Sequence, residues 1–468
     1  MSAAAGRRRA GLLIPLFSCA SSASWGIGDI ADVEPATAWL ASAGLRVLQL
    51  LPLNEMAPGQ QSPYSAISAM AIDPIFIHLP WVPEFEALGG EDALSPSDRD
   101  ALAEVRAAPR IAYQAIRRLK LAHLRAAFGR FLDAEWRRDT ERGRALRSYA
   151  SEQAWWIEDY SLFRALHARE QERPWTEWSA ELQRREPAAI DRARRELADE
   201  VVFQQYLQWT AGTQWLDARA RAHANGVQLY GDLPFMVDGD SADVWARQHQ
   251  FRLDVSVGAP PDAFSATGQD WGMPLYNWEV MLREHYHWLR ERSRRSADLY
   301  DGYRVDHLVG FYRTYGKMKQ GGDGFFTPGD EPSQLAQGER LMDLFRSAGA
   351  EIIAEDLGIV PDSVRASLAR LGVPGYRVFR WERHWHTDGQ PFRDPLEYPH
   401  VSVATSGTHD TEPMAVWWER AAEDERRKVG DRNWTYKLPW PVDRMDEHDE
   451  ASERKRQLRA WSQKYARS

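Results

Sequence analysis

A single cysteine, Cys19, stands in a chain of 468 residues, so no internal disulfide can form and a reducing cytoplasm is the expected compartment. Basic charge is also in short supply. Lys and Arg number 59 against 68 Asp and Glu, and the formal net charge of -9 argues against a nucleic-acid or anionic-membrane partner, since both require a concentrated basic surface. No run is long and uncharged enough to span a bilayer. Arg7-Arg8-Arg9 followed by apolar residues up to Ala20 has the outline of a signal peptide. However, Pro15 interrupts that run and Trp25-Gly26-Ile27-Gly28-Asp29 follows directly, so residues 12–17 read as the first buried strand. With one cysteine and 13 histidines, a transition-metal site is poorly provided for, and no metal is expected. Asp238, Asp240 and Asp243 admit calcium as a minor alternative, although the spacing and closing Glu of an EF-hand are absent.

What the chain does have is material for a large core, with 43% hydrophobic residues, enough for one big domain with insertions or two to three ordinary ones. Tryptophan is abundant at 21 residues; most should be core, and some suit a cleft where indole faces stack on a ligand. Strand patterns begin near Leu12, Arg46, Val227, Tyr303, Glu351, Tyr376 and Val401, with helical stretches at 277–295, 334–347 and 361–371 between the later ones. Strands alternating with helices, each strand ending in polar residues, predict a (β/α)8 TIM-type barrel with its site at the strand C-termini. Residues 95–224 change character to long amphipathic segments, such as 111–131 and 188–221, and read as an inserted helical subdomain. The expected domains are therefore 1–94, the start of the barrel; 95–224, the helical insertion; 225–428, the rest of the catalytic barrel; and 429–468, a shortened C-terminal segment.

Four strand ends carry carboxylates: Asp232, Asp306, Glu355 and Asp410. Arg304 and Asp306 are two apart and share one face of a strand, so a guanidinium beside Asp306 would favour its ionised form. Glu355, ending an apolar strand, would be pushed the other way by desolvation. Converging acids with little His and no Cys pair suggest glycosyl chemistry, in which one carboxylate attacks and a second, about 5 Å away, handles the proton. Asp410, with His409 as a hydroxyl donor, fits a third role in stabilising developing positive charge.

Nine motifs in one order then carry a resemblance. They are Trp25-Gly26-Ile27-Gly28-Asp29, Leu50-Leu51-Pro52-Leu53, Ser62-Pro63-Tyr64, Gly231-Asp232-Leu233-Pro234, Pro260-Pro261-Asp262, Gly268-Gln269 with Trp271-Gly272, Arg304-Val305-Asp306-His307, Ala354-Glu355-Asp356-Leu357-Gly358, and Gly407-Thr408-His409-Asp410. The chain resembles the 4-alpha-glucanotransferases of the amylomaltase or disproportionating-enzyme family, relatives of the alpha-amylases. The resemblance implies that Asp306 is the nucleophile, Glu355 the acid/base and Asp410 the transition-state stabiliser. It implies that Arg304, His307, His409, Asp232 and Trp271 shape the donor sugar site, with Tyr64 and Asp262 as further substrate-binding residues. The implied partners are maltooligosaccharides and α-1,4-glucans, with no dissociable cofactor, and nothing in the sequence specifies a protein partner.

The chain departs from the pattern at Thr411-Glu412 and Met273, where many family members have Asn. It also passes from a helical stretch at 416–428 straight to Gly430-Asp431-Arg432-Asn433-Trp434, where the family normally has a further strand. Only seven barrel strands are found, and the spare candidate, residues 251–257, is out of order, so the eighth strand is expected to be missing or atypical. The alternatives are an α-glucan hydrolase of the same clan and a catalytically weakened glucan-binding protein.

Overall fold

The computed structural model describes residues 8–261, 267–384, 386–387, 392–413, 416–417 and 442–464. In chain order the strands are β1 (Gly11–Leu13), β2 (Val47–Gln49), β3 (Gln228–Leu233), β4 (Phe251–Ala259), β5 (Gln269–Tyr276), β6 (Gly302–Val305), β7 (Thr314–Met318), β8 (Phe325–Thr327), β9 (Glu351–Ala354), β10 (Gly375–Val378) and β11 (Ser402–Thr405). The chain forms two compact units. One holds the described residues of Met1–Leu229, Val237–Phe251 and Tyr436–Ser468; the other holds those of Tyr230–Met236 and Arg252–Thr435. No helix among the described residues is long and apolar enough to cross a membrane.

In the first unit β1 and β2 pair in parallel, Gly11 opposite Val47 and Leu13 opposite Gln49, and the Gln228 N–H donates to the Arg46 carbonyl at 2.9 Å. β1 is shorter than its sequence pattern. Pro15 has no N–H to give the ladder, and the chain turns instead into a 3-10 segment, Leu16–Ser18. The stretch expected to be helical is so, as Pro96–Ala107, Tyr113–Phe131, Glu141–Glu152, Ala154–Arg169, Pro187–Glu196 and Ala198–Ala224. The predicted single helix over 188–221 is two, divided at Leu197.

These helices share their compact unit with the preceding residues and are tied to them by buried polar groups. The ammonium of Lys120 lies 3.1 Å from Asp29, whose other oxygen is 3.0 Å from His78 Nδ1. Tyr160 donates to Glu55 at 2.5 Å and Tyr206 to Glu84 at 2.8 Å. The Gln208 amide both accepts from and donates to the Ile72 backbone at 2.9 Å. In a low-dielectric interior each such group must be paired, so these bonds specify how the helices pack. The three acids considered for calcium are likewise turned toward protein donors. Asp240 meets His167 and the Trp175 N–H at 3.0 Å, Asp243 accepts from the Ala69 N–H at 2.7 Å, and Asp238 accepts from the Asp240 N–H at 2.9 Å.

In the second unit the end of β3 pairs with β6, β6 with β9, β9 with β10 and β10 with β11, all in parallel. Counted together, the described residues hold seven strands of parallel sheet, one fewer than a closed eight-stranded barrel. The region expected to lack the eighth strand, residues 418–441, lies outside the described residues. The out-of-order candidate, β4, belongs to a separate sheet ordered β5-β4-β7-β8, where it runs antiparallel to β7. Of the helix expected over 416–428, only Val416 and Trp417 are described, and both are helical. The helix expected over 277–295 is two, Trp278–Arg283 and His287–Leu299, because His285 and Tyr286 both take a left-handed backbone with φ of 53°. Glu331–Ser347 is capped by Asp330, which accepts from the Ser333 N–H at 3.0 Å, and Asp362–Leu371 ends at Gly372 with φ of 68°.

Candidate active site

The parallel register of β3 and β6 sets Asp232 directly opposite Arg304. Because side chains alternate along a strand, Arg304 and Asp306 leave β6 toward the same side. The guanidinium bridges the two acids: Nη1 donates to Asp232 at 2.6 Å and Nη2 lies 2.7 Å from Asp306. Burial separates their tasks. The side chain of Asp232 is 0% exposed and that of Asp306 is 24% exposed, so Asp232 anchors Arg304 while Asp306 reaches the solvent side. Removed from water, such charge-assisted forked contacts hold a carboxylate in one orientation.

Backbone bonds fix the neighbouring acid. The Asp306 N–H donates to the Leu233 carbonyl and the Glu355 N–H to the Val305 carbonyl, both at 3.0 Å, and Leu308 donates back to the Glu355 carbonyl at 3.2 Å. Asp306 and Glu355 thus leave the ends of adjacent strands, whose axes lie about 4.8 Å apart in a ladder. Burial pushes the Glu355 carboxyl up to about 7; Arg304 works against that rise and the negative charge of Asp306 adds to it. Asp356 faces the other way. It is buried, accepts from the Tyr376 N–H at 2.7 Å and pairs with Arg365 at 3.0 Å. A Cβ on Gly375 would stand 2.5 Å from its Oδ2, which is why only glycine fits there.

After β11 a tight turn presents His409 and Asp410. The Thr408 N–H donates to Thr411 Oγ1 at 3.1 Å, and that hydroxyl donates to the Thr408 carbonyl at 2.9 Å. Thr411, one of the departures noted above, therefore holds the turn. Glu412 is held as firmly: buried Arg380 pairs with its carboxylate at 3.0 Å and donates to its carbonyl at 2.9 Å. His409 Nε2 lies 3.2 Å from Asp410. Burial, with the Arg304 charge, pulls the His409 imidazole down to about 3, so the ring is neutral. Asp410, whose side chain keeps 46% of its surface exposed, is raised above the ordinary carboxylate range by partial desolvation, with Arg304 opposing and Asp306 adding to the rise. That Arg304 and Asp306 act on both groups brings the turn after β11 into the same electrostatic neighbourhood as the end of β6.

Aromatic rings complete the cluster. Trp271 on β5 meets His307 edge-on at 4.8 Å, and Phe235 also meets the imidazole edge-on, at 5.4 Å. The Trp271 indole N–H donates to Gln269 at 3.0 Å. His307 has φ of 41° and a pKa lowered to about 4, chiefly by burial. Asp306, Glu355, Asp410, Arg304, His307, His409, Asp232 and Trp271 all belong to the second unit. Tyr64 belongs to the first unit, half-buried in the turn after Ser62, and Asp262 lies outside the described residues. Two contributors escaped the sequence reading. Phe235 follows the Asp232 motif directly and could have been flagged by that position, whereas the Arg380 pair with Glu412 spans 32 residues and leaves no local signal.

Comparison with known proteins gives concordant findings. A family model described as 4-alpha-glucanotransferase matches residues 14–464. A protein named 4-alpha-glucanotransferase from Chlamydia pneumoniae is 33% identical over 420 residues, covering 89% of this chain and 77% of that protein. One of the same name from Thermus thermophilus is 32% identical over 445 residues, covering 89% of this chain and 83% of its own length. Among solved structures, an amylomaltase from Streptococcus agalactiae in complex with acarbose superposes with a TM-score of 0.82 at 23% identity, over 99% of this chain and 100% of that one. The last likeness is one of fold, and it agrees with a sheet of the (β/α)8 type.

Proposed function

The chain belongs to the 4-alpha-glucanotransferase family and is a transferase acting on α-glucans, and from that premise we propose how its strand-end carboxylates perform the transfer. Asp306 attacks the anomeric carbon of the donor while Glu355 gives its proton to the glycosidic oxygen, so the C–O bond breaks and the leaving sugar departs neutral. The donor segment is then an ester on Asp306. Glu355, now a carboxylate, takes the proton of an acceptor 4-hydroxyl as that oxygen attacks the same carbon and frees Asp306. Two displacements at one carbon leave its configuration unchanged. Each proton is supplied and recovered by these side chains, and no cofactor enters.

One observation carries this reading: beside an Asp306 held at 2.7 Å by Arg304, Glu355 is raised to about 7 and exists in both protonation states near neutrality. A group that must serve first as acid and then as base works best there. Asp410 and the neutral His409 suit the role of gripping hydroxyls next to the reacting carbon and steadying its positive charge. His307 and Trp271 suit the walls of the donor site, and Tyr64 and Asp262 are assigned to further glucan contacts. The preferred substrates are maltooligosaccharides and other α-1,4-glucans. We assign the enzyme to the cytoplasm, a reading supported by its single, buried cysteine.

Incubation with maltotriose, with products resolved by chain length beside an Asp306→Asn control, tests the assignment. Free glucose together with oligosaccharides longer than maltotriose, absent from the control, is the expected result. Glucose and maltose with nothing longer would mean that water outcompetes the acceptor sugar, and the same products from Asp306→Asn would remove Asp306 from the nucleophile's role.

A further inference from the structure

Arg380 leaves the short 3-10 turn Phe379–Trp381 that follows β10, and β10 pairs with β11 so that Val378 stands opposite Thr405. Its side chain therefore lies beside the turn over residues 407–412, which follows β11 and carries His409 and Asp410. It grips that turn at both ends. Nη1 donates to the Glu412 carboxylate at 3.0 Å and Nη2 to the Glu412 carbonyl at 2.9 Å, while a Cβ on Gly407 would stand only 3.5 Å from Nη2. The Arg380 side chain is 5% exposed, and its guanidinium lies over the Trp417 ring, 5.3 Å from the centroid.

A buried guanidinium is costly unless it is matched, and a planar fork matched to two oxygens of one residue allows few other arrangements. The clasp is thus a fixed point on which the turn rests. Within the turn, Thr405 Oγ1 donates to the Gly407 carbonyl at 2.7 Å and the Asp410 N–H to Thr408 Oγ1 at 3.3 Å. Thr411 and Glu412, where the sequence departs from the family pattern, are both residues that hold this turn. The charges that bear on Asp410 are those of Arg304 and Asp306, so Arg380 acts on it through the turn.

From this geometry we infer that Arg380 is a positioning residue for the transfer: by clasping Glu412 it holds the Asp410 carboxylate in place against the anomeric carbon as positive charge develops there. The inference rests on the role proposed above for Asp410. Arg380 itself forms no bond in either displacement. Because that positive charge belongs to the transition state more than to the bound donor, a loosened turn lowers kcat more than it raises KM. A pair that served stability alone would lower the thermal midpoint and leave kcat of the folded protein unchanged.

Steady-state transfer from maltotriose by the full chain, compared among wild type, Arg380→Lys, Asp410→Asn and the double variant, tests this inference. Arg380→Lys keeps the charge but lacks the fork that spans carboxylate and carbonyl, and is expected to lower kcat about 10- to 10²-fold with KM within about threefold. Asp410→Asn is expected to lower kcat at least about 10²-fold, and adding Arg380→Lys to it should cost no more than about twofold further, because both act through one group. Glu412→Ala removes a side chain that is 37% exposed, so water replaces the lost oxygen; it should lower kcat severalfold, and it decides the matter if Arg380→Lys does not fold. Losses that multiply in the double variant, or an unchanged kcat in folded Arg380→Lys or in Glu412→Ala, overturn the inference while leaving Asp410 in its role. An unchanged kcat in Asp410→Asn removes that role and the inference with it.

Discussion

Raising the pH from 6 to 8 is expected to slow the glycosylation step by about five- to tenfold, the loss of the Glu355 proton costing about tenfold and the ionisation of Asp410 restoring at most about twofold. The rise of Glu355 from an ordinary 4.5 to about 7 keeps about half the molecules protonated at pH 7, where an unperturbed carboxyl would be protonated in only about one in 300. The protonated fraction then falls from about nine-tenths at pH 6 to about one-tenth at pH 8. The assay is kcat/KM for maltotriose against pH, which reports the free enzyme's groups. A donor whose leaving group departs without a proton should lose this falling limb. Glu355→Gln should transfer from maltotriose about 10²- to 10⁴-fold more slowly while still reacting with the activated donor. The same group leaves a mark on stability. Because the folded state holds the proton more tightly than the unfolded chain, its contribution is fully present below pH 4.5 and is lost as pH rises through about 7. Wild type should therefore lose thermal stability relative to Glu355→Gln between pH 5 and pH 8. A limb that stays in place with the activated donor, or that persists in Glu355→Gln, would refute the assignment of Glu355 as the acid.

Other tests address the neighbours of Glu355. Asp306→Asn should abolish the covalent sugar adduct detected by intact-protein mass after quenching with an activated donor, and lower transfer by at least about 10³-fold while leaving maltooligosaccharide binding largely intact; a persisting adduct places the nucleophile elsewhere. Asp232→Ala leaves the buried guanidinium of Arg304 without the partner at 2.6 Å and should destabilise the protein by about 3 kcal/mol, so an unchanged thermal midpoint would contradict the buried pairing. His307 and His409, held down to about 4 and about 3 by burial, should show ring chemical shifts that stay flat from pH 5 to 8; a midpoint near the ordinary histidine value in either would mean that it is solvated and can carry charge.

Much of the barrel was legible in the sequence. Strands expected near Leu12, Arg46, Val227, Tyr303, Glu351, Tyr376 and Val401 begin within one residue of those positions, because apolar alternation and the turn residues bounding it are local signals. The alignment of Arg304 with Asp306 was legible for the same reason, since a period of two depends only on the strand. Helix interruptions were not: Leu197 and the pair His285 and Tyr286 carry no glycine or proline to mark a break, and the surrounding packing imposes it. Still less could the sequence state which partners the charges would find. Asp232 meets Arg304 across 72 residues because β3 lies beside β6, and Lys120 meets Asp29 across 91. Nor could it say that His409 would be neutral or that Asp410 would be raised, since both follow from desolvation, nearly complete for His409 and partial for Asp410, beside Arg304 and Asp306. The order of chemical groups along the chain is a property of the sequence; their ionisation belongs to the folded site, because desolvation and Coulomb interactions depend on distances that only the tertiary structure sets.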